Sequence, residues 1–161
     1  MPSQTFWVLG TICEAIVPGY YTPSLPGLRA DMRTLQELLQ ALHPPIVAHL
    51  QALDVPLDLV CSQWLLALFS MNLPRETLFL LWDALFLRGR AVLLAAVLAT
   101  LSLAWAFGPL AACSSFEEVV LLVRSASFFD ALAMDSTTFM AAVNREAEAM
   151  ESVNVATIRS R

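Results

Sequence analysis

Histidine, cysteine and serine are the residues of this chain whose chemistry could serve catalysis or metal binding, and their spacing supports neither. His43 and His49 have no cysteine or carboxylate nearby at the spacing of a zinc site. Serine, histidine and aspartate all occur, but not within a nucleophile elbow, an HExxH or CxxC motif, or a glycine-rich phosphate loop. The sequence therefore predicts no catalytic residue, no cofactor-binding residue, no metal ligand and no autonomous enzyme.

The cysteines and the charges restrict the class of protein further. Cys13, Cys61 and Cys113 lie far apart and are odd in number, which is typical of free thiols in a reducing compartment such as the cytoplasm. The N-terminal stretch has no basic region and no small-x-small cleavage site, so we expect no signal peptide. The net charge is −5 and the arginines are scattered, which argues against nucleic acid as a partner.

The chain is unusually apolar for a soluble domain. It has 161 residues, of which 58% are hydrophobic and 14% are charged, whereas roughly a quarter are charged in an average domain. Residues 91–113 carry no charge, but Gly108-Pro109 interrupts them and leaves Ala91 to Phe107, at the lower limit for a membrane span. Because this segment is rich in alanine, we expect a central buried helix rather than a transmembrane helix.

Helical periodicity, with breaks at proline and glycine, predicts an all-α chain: an irregular array of about seven to eight helices without strands. Asp31 is expected in a first turn, where a carboxylate suits the helix dipole. The helix from Leu57 to about Ser70 is apolar nearly all round, which indicates burial. The other predicted helices are Thr5 to Val17, Asp31 to Leu42, Pro45 to Leu53, Pro74 to Leu87, Ala91 to Phe107, Ser115 to Arg124 and a last one after Asp135, with a further short helix through Phe128 to Met134.

N-capping residues mark the starts of two predicted helices near the C-terminus. Ser115 and Glu118 have the spacing of a capping box, and Asp135 is expected to cap the final helix. In that final helix one face is apolar, and a group of charged residues is interpreted as a solvated face. The apolar residues are Phe139, Val143, Met150 and Val153, and the charged ones are Arg145, Glu146, Glu148 and Glu151.

The stretch from Gln63 to Arg90 holds the residues that we interpret as a structural motif: Trp64, Pro74, Trp82, Asp83 and Gly89. Pro74 opens a helix, and Gly89 is expected to end it with a positive φ. Trp82 is expected in the core. Asp83 stands alone among apolar residues, so we expect a cationic partner, for which the nearest candidates in sequence are Arg75, Arg88 and Arg90.

The order and spacing of these residues resemble the C-terminal half of a TBC domain, a family of all-helical activators of Rab-type GTPases. The resemblance rests on Trp64 before an apolar Leu-Phe segment, on Leu73-Pro74 before the next helix, on the Trp82-Asp83 pair and on Gly89. The similarity is clear over residues 6–101 and weaker over 102–161. We therefore interpret residues 1–161 as a single partial TBC-like domain.

The resemblance implies a Rab-type small GTPase as the partner. In the family, an arginine from an IxxDxxR motif and a glutamine from a YxQ motif act on the GTPase, and both precede the segment that matches Phe6-Trp7. Gln4 has no tyrosine two residues before it, and Leu28-x-x-Asp31 is followed by Thr34 where arginine is required. We therefore expect the chain to lack both of these residues, which are called the arginine finger and the glutamine finger, and to be inactive alone as a GTPase activator.

Several alternatives stay open at this point. The chain could be a truncated form of a working Rab activator in vesicle trafficking, a finger-less Rab-binding or scaffold module, or a membrane-associated helical protein. A hydrophobic partner could take the place of the missing N-terminal half, since half a helical domain would expose apolar surface. The expected location is the cytoplasm, with peripheral association with endomembranes as an alternative.

Overall fold

The computed structural model describes residues 3–133 and 135–159, and helices joined by turns make up this part of the chain. The all-α prediction is confirmed. Met134, the predicted end of one short helix, lies outside the described residues. The described part contains nine α-helices: α1 Gln4–Thr11, α2 Pro26–Leu42, α3 Pro44–Ala52, α4 Leu57–Leu66, α5 Arg75–Arg88, α6 Ala91–Ala106, α7 Phe116–Arg124, α8 Ala126–Ala133 and α9 Ser136–Arg159. A π-helical turn, Ile12–Ile16, extends α1.

Helix α6 forms the centre of the structure. Every residue from Val92 to Leu101 is buried, because α5 and α9 pack along α6 and α2, α3, α4 and α8 contact it from other sides. The prediction of a central buried helix is therefore confirmed. Among the described residues, no helix combines the length and apolar character that crossing a membrane requires.

Helix α2 begins earlier than predicted, at Pro26 rather than at Asp31. Proline is well suited to a first helical turn, since its missing N–H has no intrahelical partner there. The next residue is glycine because the chain at Pro18 leaves no room for a side chain there. A Cβ at Gly27 would be 2.1 Å from the Pro18 carbonyl oxygen. The prediction of Asp31 in the first turn is wrong, and its side chain is instead buried against the rest of the fold.

Helix α4 is shorter and more exposed than predicted. It ends at Leu66 rather than at Ser70, and turns follow in which Leu68 and Phe69 have positive φ values of 49° and 60°. One side of the helix is exposed, including Leu59, so the expectation of burial all round is wrong. The turns carry the chain from α4 to α5 and place Phe69 in the core.

The predicted helix starts near the C-terminus are confirmed. The Ser115 hydroxyl accepts a hydrogen bond from the Glu118 N–H at 3.3 Å, and the Glu118 carboxylate accepts from the Ser114 N–H at 2.6 Å. Hydrogen bonds to the Glu118 carboxylate, first from the Ser114 N–H and then from the Ser114 hydroxyl, hold the pKa of Glu118 below its ordinary value. Asp135 caps α9 by accepting from the N–H groups of Thr137 and Thr138.

The three cysteines are expected to differ in thiol reactivity. Cys61 is fully buried, and burial together with the nearby charge of Asp58 raises the pKa of its thiol well above its usual value. Cys13 and Cys113 are half-buried. We expect Cys13 and Cys113 to react with a thiol reagent in the folded chain, while Cys61 reacts only on unfolding. Mass spectrometry after timed labelling would show this, and early labelling of Cys61 would contradict its placement.

Candidate functional site

The motif residues of the stretch from Gln63 to Arg90 occupy very different environments. Trp64 on α4 is 1% exposed, and its ring lies edge-to-face with Phe129 at 5.3 Å between ring centroids. Trp82 on α5 is half-buried and packs against the core, so it lies at the edge of the core rather than inside it. Its indole Nε1–H donates to the Leu68 carbonyl at 2.9 Å. This hydrogen bond connects α5 to the turns that follow α4.

Pro74 and Gly89 mark the two ends of α5. Pro74 is the N-cap residue, and Gly89 ends the helix with a φ of 80°, a value that favours glycine. Asp83 lies on the exposed side of this helix. The expectation that Asp83 is a buried acid with an arginine partner is therefore wrong, because a carboxylate in water needs no partner to avoid a desolvation penalty.

A buried carboxylate occurs instead at Asp31. Its Oδ2 accepts a hydrogen bond from the Tyr20 hydroxyl at 2.7 Å, and Arg90 Nη1 lies 3.8 Å from Oδ1. Burial first, and then the hydrogen bond to Asp31, raise the pKa of Tyr20 well above its usual value. This cluster joins the loop before α2 to the start of α6, and its role in the fold is to connect segments that are distant in sequence.

A second polar pair lies between the α2–α3 junction and α9. His43 Nε2 is 3.0 Å from Glu146 Oε1 and 2.9 Å from Oε2, and the Glu146 side chain is almost fully buried. The assignment of Glu146 to a solvated face is therefore wrong. The signal was present in the sequence, since Glu146 lies three residues after Val143 and four before Met150, on the buried face of α9.

These polar groups do not assemble into a catalytic or metal site. In residues 3–133 and 135–159, no group of three or more histidine, cysteine, aspartate or glutamate side chains could hold a metal ion. His49 lies edge-to-face with Trp105 at 5.2 Å between ring centroids, a packing contact rather than a ligand geometry.

Helix α1 carries the most prominent apolar surface at the N-terminal end of the fold. Phe6, Trp7, Val8 and Leu9 are between 48% and 64% exposed, and none of the residues of α1 is buried. Its principal contact is with the π-helical turn that follows it. A run of exposed aromatic and aliphatic side chains of this kind marks a surface suited to a further partner.

The helical array and its tryptophan, proline and glycine motif define the class of protein. The family model for the Rab-GTPase-TBC domain matches residues 1–105, so the chain belongs to the RabGAP-TBC family. Two relatives are Carabin from Mus musculus, 37% identical over 92 residues, and Growth hormone-regulated TBC protein 1 from Homo sapiens, 37% identical over 90 residues. These matches cover 57% and 56% of this chain.

A solved structure agrees with this family. The crystal structure of the Chlamydomonas flagellar RabGAP TBC domain superimposes with a TM-score of 0.64 and 29% sequence identity, over 81% of this chain. The match covers 43% of that domain chain, 21% of Carabin and 27% of the human relative. The chain thus spans less than half the length of the relatives that it matches, and it has the helical scaffold of the family.

Proposed function

We propose that this chain forms the C-terminal part of a TBC domain that activates a Rab-type GTPase in vesicle trafficking. The observation that carries the proposal is the match of the family model over residues 1–105, together with a fold similar to a domain described as a RabGAP. The partner is then a Rab-type GTPase in the cytoplasm, and the contact with endomembranes is peripheral and made through that GTPase.

We further propose that these 161 residues alone do not accelerate GTP hydrolysis. The sequence contains neither an IxxDxxR nor a YxQ motif. Loss of an arginine finger removes roughly 10³ to 10⁵ in rate, or about 4 to 7 kcal/mol of transition-state stabilisation. The remaining scaffold contacts cannot replace a term of that size. The chain supplies shape and binding surface, and the fingers must come from another polypeptide segment.

The exposed face of α1 is where that segment would be expected to pack. Phe6 and Trp7 lie edge-to-face at 5.7 Å and remain largely exposed. A hydrophobic polypeptide, such as the N-terminal half of a TBC domain, would cover them and gain the free energy of burying that apolar surface. This observation also favours the second candidate function, a finger-less module that binds a Rab or a scaffold partner without stimulating hydrolysis.

A chimaera distinguishes an activating scaffold from a finger-less binding module. The N-terminal half of the TBC domain of the human relative would be joined ahead of Phe6, with the finger arginine intact or replaced by alanine as the matched control. In single-turnover assays over a panel of Rab proteins, we expect acceleration with the intact chimaera and loss of it in the control. A folded chimaera that binds a Rab without acceleration would support the binding module instead.

A further inference from the structure

An open cavity lies where the C-terminal ends of α2 and α6 meet the middle of α9. Its volume is about 430 Å³, which is in the range of small-molecule sites. Most of its lining is apolar and consists of four small or aliphatic residues: Leu42, Leu103, Ala106 and Ala149. Such a lining suits the aliphatic part of a ligand, so the few polar groups in the cavity decide which ligand it takes.

The Glu146 carboxylate lines this cavity and has unused hydrogen-bonding capacity. Glu146 is 6% exposed, and His43 Nε2 lies 3.0 and 2.9 Å from its two oxygens. An imidazole nitrogen carries at most one hydrogen, whereas a carboxylate can accept about four hydrogen bonds. Among the residues that the structure describes, His43 is the one hydrogen-bond partner of the Glu146 side chain. A further donor in the cavity would stabilise this carboxylate, because burying a charge is costly unless its lone pairs are satisfied.

The helix ends around the cavity also favour a cation. The C-terminal ends of α2, at Leu42, and of α6, at Ala106, both line the cavity, and such ends carry partial negative charge. Helix α3 begins beside them, but its first two residues are prolines, which have no N–H. The next two N–H groups, of Ile46 and Val47, donate to the His43 carbonyl at 3.0 and 3.4 Å. The first turn of α3 therefore offers no free N–H to an anion.

We propose that this cavity binds a small organic monocation, a primary ammonium group on a short aliphatic body. The ammonium group donates to the Glu146 carboxylate, and the aliphatic body packs on the apolar lining. The Ser102 hydroxyl donates to the Ala99 carbonyl at 3.1 Å, so its oxygen keeps lone pairs for a second N–H of the ligand.

Arg145 limits the ligand to one positive charge. It lines the cavity from an exposed position, where water screens its charge, whereas the Glu146 carboxylate is buried and acts at lower dielectric. An anion at Arg145 would face that buried carboxylate. A second ammonium group on the ligand would be repelled by Arg145 at the mouth, so the ligand is a monoamine rather than a polyamine.

Calorimetric titration of the 161-residue chain with n-hexylammonium tests this site at about pH 8, where an alkylamine keeps its proton. We expect a dissociation constant below about 1 mM. n-Hexanol and n-hexanoate have the same aliphatic body and should bind at least about tenfold more weakly, because neither offers a charged N–H donor to Glu146. Hexamethylenediamine should bind no more tightly than n-hexylammonium. A lysine blocked at both backbone ends carries the same ammonium group, and equal binding of it would identify a lysine side chain as the source.

Two variants on α9 locate the binding, once circular dichroism has established that they are folded. Glu146→Gln removes the charge at nearly constant size and should weaken n-hexylammonium binding by at least about tenfold. Ala149→Leu fills the cavity without changing any charge and should weaken it likewise. The matched controls are Glu148→Gln and Ala141→Leu, which are exposed on the same helix and should leave binding unchanged.

Three results would overturn the proposal. The first is no binding of n-hexylammonium at concentrations up to about 10 mM. The second is binding of n-hexanoate or n-hexanol as tight as that of n-hexylammonium, which would mean that Glu146 does not select the ligand. The third is binding that survives in a folded Glu146→Gln or Ala149→Leu variant, which would place the amine elsewhere on the chain.

Discussion

Replacing Trp64 by alanine is expected to lower the free energy of unfolding by about 3 to 5 kcal/mol, the usual range for truncating a buried aromatic residue. Trp64 is almost fully buried and packs against Phe69 and Phe129, which come from the turns after α4 and from α8. Its removal leaves a cavity where three segments meet, and the rigid neighbouring rings cannot fill it. Urea unfolding followed by circular dichroism would measure the loss.

Two of the other tryptophans provide a graded control for this result. Trp7 is largely exposed, so Trp7→Ala should change the free energy of unfolding by no more than about 0.5 kcal/mol. Trp82 is half-buried and donates one hydrogen bond, so Trp82→Ala should fall between the two, at about 1 to 3 kcal/mol. Equal losses at Trp64 and Trp7 would contradict the position of Trp64 in the core.

His43→Ala is expected to destabilise the fold by about 2 to 3 kcal/mol, because it leaves the Glu146 carboxylate buried without its hydrogen-bond partner. Glu146 is 6% exposed, and both of its oxygens lie within 3.0 Å of His43 Nε2. His43 itself is partly open to solvent, which keeps the expected loss below that of a fully buried pair. Chemical denaturation at neutral pH would measure the effect.

A double-mutant cycle separates this contact from the loss of packing. The variant with both His43 and Glu146 replaced by leucine should lose less free energy of unfolding than the two single leucine variants lose together. We expect a coupling of at least about 1 kcal/mol. Glu148 lies on the same helix and is exposed, so Glu148→Ala should have little effect. Additive losses at His43 and Glu146 would mean that the pair does not form in solution.

Local rules predicted most of the helices and their ends. Pro74, Ser115 and Asp135 mark helix starts by their own chemistry, and the long uncharged run was correctly interpreted as the buried central helix. These features depend on residues within one or two turns, which a sequence displays directly. The sequence did not predict the early start of α2, because the close approach of Gly27 and Pro18 forms only when the loop between them has folded.

The polar clusters depend on contacts between distant segments, so the sequence did not reveal which residues pair, even where the spacing of Glu146 marked it as buried. Glu146 and His43 are separated by most of the chain, and Asp31 finds Tyr20 and Arg90 only after α2 has packed. Asp83 illustrates the opposite error. Its apolar neighbours in sequence suggested burial, but only one side of α5 is buried, including Leu81 and Leu85, and four residues of the same run are exposed: Phe79, Leu80, Phe86 and Leu87.

The position of the chain in the RabGAP-TBC family rests on order and spacing rather than on catalytic groups. Trp64 packs against Phe129, and Trp82 connects two segments through its hydrogen bond. Pro74 caps the start of α5, and Gly89 ends it. None of these functions requires the arginine and glutamine motifs. A chain can therefore have the scaffold of an activating domain and still depend on another segment for activation.

The most direct test of this account is the single-turnover rate of GTP hydrolysis by a panel of Rab proteins with a large excess of the purified 161-residue chain. Circular dichroism would first establish that the chain is helical, and an intact TBC domain of the human relative would serve as the positive control. We predict rates equal to those of each Rab alone. Acceleration of any Rab by about tenfold or more would contradict the claim that the chain is a scaffold without its own catalytic fingers.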